Sequence, residues 1–99
     1  MTRNKTDTKE LIKTNQHYVE LIAKQYLNRG LTMEQLVEEG NKGMAYVAER
    51  FDPSKGYAFM SYASWMVRMS ILQAIAAIQQ GEPIPEKFIP RKRSRENRN

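Results

Sequence analysis

The stretch "FMSYASWMVRMSILQAIAAIQQ", Phe59 to Gln80, decides the fold of this chain. Apolar and small side chains recur in it every three or four residues, which is the spacing of one face of a helix. A helix with a continuous apolar stripe must bury that stripe against other elements. We therefore predict a helix from about Phe59 to Gln80 that ends at Gly81. The members of the stripe are Tyr62, Ala63, Met66, Val67, Ser70, Ile71, Ala74, Ile75 and Ile78.

A first helix is predicted upstream, over about residues 8–28. Asp7 is a suitable N-cap, and Glu10 lies three residues further on, as in a capping box. Apolar residues then recur at helical spacing. Gly30 follows the last of them and suits the left-handed position just after a helix.

A second helix is predicted to open at Thr32 and to run to about Phe51. Gln35 stands where a capping box places its second member. Gly40 and Gly43 lie inside the periodic pattern, and glycine is about 1 kcal/mol less favourable than alanine there. Either a neighbouring helix comes close at these glycines, or the segment is two shorter helices. No segment alternates like a β-strand, so the fold class is a small all-α domain of three to four helices.

Composition divides the 99 residues into one small domain and two ends. We expect a flexible N-terminus over residues 1–9, a helical domain over 10–80, and a Pro-rich connector with a flexible basic tail over 81–99. Residues 91–99 carry five basic and one acidic side chain, a net charge of +4, out of +5 for the whole chain. Such a tail is typical of a solvated end and is also compatible with binding phosphates.

Several functional classes find no support in the sequence. There is no cysteine and only one histidine, His17, so no metal site or other cofactor is expected. No phosphate-binding loop or nucleophile motif is present, and an enzyme is not expected. The N-terminus lacks the apolar region of a secretory signal. No apolar run is long enough for a membrane span. The lack of cysteines fits a reducing compartment, so a cytoplasmic protein is expected.

Aromatic and basic residues gather at the start of the third predicted helix. Trp65 is predicted to lie on the flank of the apolar stripe, with Ser61 and Arg68 one turn away on either side. Lys55 and Tyr57 arrive from the preceding turn. Such a cluster can be hydrophobic packing, or it can be a platform on which unpaired bases stack. The pattern alone leaves both interpretations open.

Three motifs in order resemble one known family. They are "NRGL" followed by "EEGNKG", then "RFDPSKGYAF", then "SYASWMVR". Together they are similar to region two of the primary-type sigma factors of bacterial RNA polymerase, over about residues 10–80. The resemblance implies a protein that docks on a coiled coil of the largest subunit of core RNA polymerase. It also implies recognition and melting of the minus-ten promoter element, through flipped bases of the single-stranded non-template strand.

The resemblance also assigns candidate site residues. One set of positions matches the DNA-facing part of the family: the pocket for a flipped base, the strand-separating aromatics and the rest of the DNA-facing helix. These residues are Phe51, Lys55, Tyr57, Phe59, Ser61, Tyr62, Trp65, Arg68, Met69 and Gln73. Arg68 matches an arginine of the family motif whose role can be structural instead of DNA-binding. Positions matching the polymerase-docking surface are Gln35, Leu36, Glu38, Glu39 and Asn41.

This chain departs from the family pattern at both sites. Gln35 replaces a usual aspartate and Glu38 a usual glutamine, which predicts weaker polymerase docking. Met66 stands where the family usually has a second tryptophan, and Met69 stands where it has a base-reading glutamine. Ala58 stands where the family has a lysine. These three changes predict altered promoter recognition. The basic tail is unlike the region that follows in the family, which favours a naturally short protein.

An alternative function follows from these departures. A shortened region two can act as an interaction module that competes with sigma factors, or that binds a regulator of sigma factors, without initiating transcription. A decayed gene fragment that still folds is a third interpretation.

Overall fold

The structure, a computed structural model, describes residues 5–51, 59–88 and 90. This part of the chain forms four helices and no strand, which confirms the all-α class. The helices are α1 (Lys5–Thr14), α2 (Gln16–Lys24), α3 (Met33–Arg50) and α4 (Phe59–Gln79). None of them is long and apolar enough to cross a membrane.

The first predicted helix is in fact two helices that meet at Asn15. The Asn15 backbone (φ −103°, ψ 17°) departs from helical geometry, and its Nδ2 donates to the carbonyl oxygen of Leu11 at 2.8 Å. Asparagine competes in this way for backbone groups and favours a helix end. The predicted N-cap was wrong, because α1 has already begun at Lys5 and Asp7 lies inside it.

The end of the first predicted helix was also placed too late. Helix α2 stops at Lys24, and a loop with two left-handed residues, Asn28 (φ 69°) and Gly30 (φ 112°), leads to α3. Gly30 therefore has the positive φ that was predicted, but in this loop and not directly after the helix.

The start of α3 is the predicted capping box. The backbone N–H of Gln35 donates to Thr32 Oγ1 at 3.1 Å, and the backbone N–H of Thr32 donates to Gln35 Oε1 at 2.9 Å. Helix α3 then runs unbroken through both glycines, so the two-helix alternative was wrong. A Cβ at Gly43 would overlap the carbonyl group of Met66 on α4, and one at Gly40 would lie 2.8 Å from Val19.

The core lies where α2, α3 and α4 meet. Helix α4 turns its predicted stripe inward, and the stripe members Tyr62, Met66 and Ile78 pack at the core's margin. The buried hydrophobic residues shared by the three helices and the loop before α3 are Val19, Ile22, Ala23, Leu31, Leu36, Met44, Val47, Ala63, Val67, Ile71, Ala74 and Ile75.

Helix α4 ends as predicted, at Gly81 (φ 73°). Its cap is a Schellman motif, in which the N–H of Glu82 donates to Ala77 O at 2.8 Å and the N–H of Gly81 donates to Ile78 O at 3.2 Å. Residues 82–88, called the strap below, are non-helical and return across α3. The basic segment 91–99 lies outside the described residues.

Candidate nucleic-acid interface

Trp65 projects from the outer face of α4. Its neighbours Ala63 and Val67 are fully buried, whereas Trp65 is 57% exposed. Ser61, one turn earlier on the same side, is also exposed. Trp65 therefore stands off the centre of the core, as the helical spacing predicted. An indole held on a rigid helix with its face in solvent is a surface on which a base can stack.

Phe51 and Phe59 form the base of the same end of the domain. Their rings meet edge to face, with centroids 5.0 Å apart and an interplanar angle of 82°. Both are half-buried, and Phe59 also packs against the core cluster. The two candidates between them, Lys55 and Tyr57, lie outside the described residues. We call the pair Phe51 and Phe59 the aromatic edge.

The sequence pattern left open whether the aromatic cluster is hydrophobic packing or a platform for unpaired bases. In the structure its members divide between the two. Phe59, Tyr62 and Met66 pack partly against the core, which is the packing interpretation. Trp65 is mainly in solvent, which leaves it available to a ligand. The outer face of α4 and the aromatic edge adjoin, since α4 begins at Phe59.

Arg68 ties α4 to the end of α2. Its Nη1 donates to Gln25 Oε1 at 2.6 Å and lies 3.4 Å from the hydroxyl oxygen of Tyr26. The ring of Tyr26 is also approached by the guanidinium of Arg29, 5.7 Å from the ring centroid. These contacts support the structural alternative for Arg68, in which it joins α4 to the end of α2.

Met69 and Gln73 follow Trp65 along α4 and line a groove of about 370 Å³ between α4 and the strap. Both are half-buried. Leu72, between them, is 39% exposed, and Pro83 and Pro85 form the opposite wall. The groove is mainly apolar, with amide groups at Gln73 and Gln80.

The five docking candidates on α3 differ in how they meet solvent. Leu36 is fully buried in the core and has no exposed side-chain surface, and its role in docking stays a prediction. Glu38 is exposed. Gln35 is exposed as well, but its Oε1 accepts the capping hydrogen bond from Thr32.

The other two docking candidates are engaged inside the domain. Asn41 and Gln16 exchange side-chain hydrogen bonds at 2.7 and 3.3 Å, which joins α3 to α2. Glu39 is 7% exposed and pairs with Lys42 at 3.0 Å. The two neighbouring acids therefore differ, since Glu38 is exposed and Glu39 is buried.

The strap makes contacts with α3 that the sequence pattern did not predict. Lys42 Nζ donates to Pro85 O at 2.7 Å, and the Phe88 ring packs edge to face on Tyr46, with centroids 5.4 Å apart. Phe88 is 6% exposed. The available signal was Ile84 and Phe88, two apolar residues four apart in a segment otherwise polar or proline.

A metal centre finds no support in the part of the chain that the structure describes. No group of three or more His, Cys, Asp or Glu side chains there is arranged to hold an ion. The lone histidine, His17, is exposed on α2.

The fold and this surface define a small all-helical domain with an exposed tryptophan on its longest helix. Comparison with known proteins identifies its family. The family model described as Sigma-70 region 2 matches residues 11–80, and the chain belongs to that family.

Curated relatives agree with this assignment. RNA polymerase sigma factor SigA of Nostoc sp. is 45% identical over 67 residues, which is 68% of this chain and 17% of the relative. RNA polymerase sigma-C factor of the same organism is 44% identical over 75 residues, or 76% of this chain and 18% of the relative. RNA polymerase sigma factor RpoS of Coxiella burnetii is 45% identical over 67 residues, 68% of this chain and 19% of the relative. The chain thus matches less than a fifth of the length of these relatives.

Proposed function

We propose that this chain is a sigma-factor-like transcription initiation protein, acting in the cytoplasm. In this proposal it docks on core RNA polymerase, on the largest-subunit coiled coil, and binds the non-template strand of the minus-ten element. The observation that carries the proposal is Trp65, 57% exposed on α4 within a match to Sigma-70 region 2 that spans residues 11–80.

The DNA-binding part of the proposal uses the outer face of α4 and the aromatic edge. Trp65 stacks on an unpaired base, and Ser61 and Tyr62 lie beside it on the helix. Phe51 and Phe59 hold the end of α3 against the start of α4. In the proposal Lys55 and Tyr57, which lie between them in the sequence, also contact the DNA. Stacking on an aromatic side chain contributes about 1–3 kcal/mol per base, and extruding a base costs a few kcal/mol.

The docking part of the proposal uses the exposed side of the first half of α3. Glu38 supplies the exposed charge, and Gln35 and Asn41 contribute from either side. The capping bond of Gln35 and the amide pair between Asn41 and Gln16 fix these side chains. Fixed side chains lose less entropy on binding than mobile ones.

A first experiment tests docking and DNA binding separately. The full chain is mixed with bacterial core RNA polymerase, and complex formation is followed on a native gel with a full-length sigma factor as competitor. A fluorescein-labelled non-template oligonucleotide carrying a minus-ten element is then titrated, and its anisotropy is measured. A complex that the sigma factor displaces supports the docking surface. The absence of any complex at micromolar concentration contradicts the proposal.

Trp65→Ala tests the DNA surface, with Leu21→Ala as the matched control. Leu21 is 44% exposed on α2 and belongs to neither candidate surface. Loss of one stacked base should weaken oligonucleotide binding about 10- to 100-fold for Trp65→Ala, with docking unchanged. Equal affinities for both variants would remove Trp65 from the interface.

A second candidate function has a specific observation in its favour. Leu36 and Glu39 are buried, so fewer side chains remain to hold the polymerase than the resemblance implied. The chain can instead act as an interaction module, which competes with sigma factors for the docking site or, where docking is weak, binds one of their regulators. Under this alternative Trp65→Ala leaves the biological effect unchanged. Gln35→Asp, which restores the usual family residue, should then strengthen polymerase binding.

A further inference from the structure

The strap lies on the side of α3 that also carries docking candidates. Lys42 Nζ donates to Pro85 O at 2.7 Å, and the Phe88 ring packs edge to face on Tyr46 with centroids 5.4 Å apart. Glu38, Lys42 and Tyr46 follow one another along α3 at intervals of four residues. Residues at this interval share one face of a helix. We call this face of α3 the covered face.

A cavity of about 370 Å³ lies between the covered face and the strap. Its wall on α3 includes the docking candidates Glu38 and Asn41. Its wall on the strap is formed by Glu86, Lys87 and Phe88. Packed helices have their axes 8–10 Å apart, and the strap is in direct contact with α3. A partner helix that binds the two docking candidates and continues along α3 would therefore overlap the strap.

The strap can leave the covered face without leaving a charge unpaired. Lys42 keeps its pair with Glu39 at 3.0 Å, because both residues belong to α3. The main loss is the burial of Phe88, which is 6% exposed. Burial of a phenylalanine side chain favours the closed strap by about 10- to 100-fold. This preference keeps the strap closed in the free chain, yet a protein partner can offset it.

Only the second half of the strap is free to move in this way. Ile84 packs at the margin of the core, and the N–H of Glu82 is bound in the cap of α4. The two residues before Phe88 are exposed. The part of the strap that can open is therefore 85–88, and Phe88 is its anchor.

We propose that the strap is an autoinhibitory cover on α3, which opens at Phe88 before core RNA polymerase binds. This inference rests on the proposed function and adds the regulation of its docking site. Because the polymerase binds only the open chain, its apparent affinity is reduced in proportion to the open fraction.

Removal of the anchor tests the cover. Phe88→Ala should tighten binding of the full chain to immobilised core polymerase about 10-fold, measured by biolayer interferometry. Phe88→Leu, which keeps an apolar anchor, should bind like the unsubstituted chain. Ile78→Ala is the control for a loosened domain, because Ile78 packs at the margin of the core on α4. It should not tighten binding, and circular dichroism verifies that each variant is folded.

A reversible cross-link tests the same movement with the anchor in place. The chain has no cysteine, so Glu49→Cys and Lys87→Cys can be joined by a bifunctional methanethiosulfonate. These two residues line the cavity from α3 and from the strap. The joined chain should lose polymerase binding, and dithiothreitol should restore it. Each single-cysteine variant, capped with methyl methanethiosulfonate, controls for the added atoms and should still bind.

The outcomes separate this inference from the proposed function. If the unsubstituted chain forms no complex with core polymerase, the proposed function fails and the inference fails with it. If it binds and Phe88→Ala binds no more tightly, the inference alone is overturned. Equal binding by the joined and the reduced chain would also overturn it. So would tighter binding by Ile78→Ala, since a loosened domain would then explain the effect.

Discussion

Ser70 on α4 donates a hydrogen bond from its hydroxyl to the main-chain carbonyl oxygen of Glu39 on α3. Both residues are buried, and the bond forms where Gly40 and Gly43 bring the two helix backbones together. A polar stripe member is therefore satisfied inside the core, and α3 and α4 are held in one register. The placement of Trp65 relative to the docking candidates on α3 depends on this register.

The close approach of α3 and α4 predicts that two glycine substitutions lower the free energy of unfolding by different amounts. Gly43→Ala should destabilise the domain by about 1–3 kcal/mol, because its Cβ meets the backbone of Met66, which cannot move aside without moving α4. Gly40→Ala should cost less, since its Cβ meets the side chains of Val19 and Val67, and alanine gains about 1 kcal/mol in helix propensity. Urea unfolding followed by circular dichroism measures both. A more stable Gly43→Ala would contradict the packing described here.

Lys42 is predicted to matter for stability through the groups that it satisfies. Lys42→Met removes the partner of Glu39, whose side chain is only 10% exposed, and the donor to Pro85 O. The expected loss is about 1–3 kcal/mol, because a polar group left unpaired in the interior pays its desolvation. Adding Glu39→Gln should recover part of the loss, since the unpaired charge is gone. Thermal unfolding of the single and double variants decides this, and an unchanged melting temperature for Lys42→Met would refute it.

Much of this fold was predictable because its signals are local. The Thr32–Gln35 capping box, the stop at Gly81 and the stripe on α4 are each set by residues within a few positions of one another. The break at Asn15 was missed because apolar periodicity continues across it, and a visible sign of it is the side-chain hydrogen bond from Asn15 to Leu11 O.

The candidate site was predictable only where one helix face defines it. The place of Trp65 off the centre of the core follows from helical spacing, whereas its 57% exposure did not follow from the pattern. The burial of Leu36 and Glu39 was missed because the resemblance supplies positions without their neighbours. The anchor of Phe88 on Tyr46 joins residues 42 positions apart, and no local pattern encodes such a contact.

The capping box predicts a measurable contribution from Thr32. Thr32→Ala should cost about 1 kcal/mol, since the N–H of Gln35 loses its acceptor at the start of the helix. The effect should reach the whole domain, because α3 carries the core residues Leu36, Met44 and Val47. Thr14→Ala, at the exposed last position of α1, is the matched control and should change stability little. Chemical unfolding midpoints compare the two, and equal losses would argue against the cap.

The contact between Arg68 and Gln25 predicts coupling between stability and base binding. In a double-mutant cycle of Arg68→Ala and Gln25→Ala, a coupling free energy of about 0.5–1 kcal/mol is expected, because the hydrogen bond involves a charged donor but is exposed to solvent. If Arg68 orients α4, Gln25→Ala should also weaken oligonucleotide binding, although Gln25 belongs to neither candidate surface. If Arg68 instead contacts DNA directly, Gln25→Ala should leave affinity unchanged, whereas Arg68→Ala should lower both affinity and its salt dependence. Anisotropy titrations at two salt concentrations separate these outcomes. They decide whether Arg68 affects DNA binding by orienting α4, which carries Trp65, or by contacting the DNA itself.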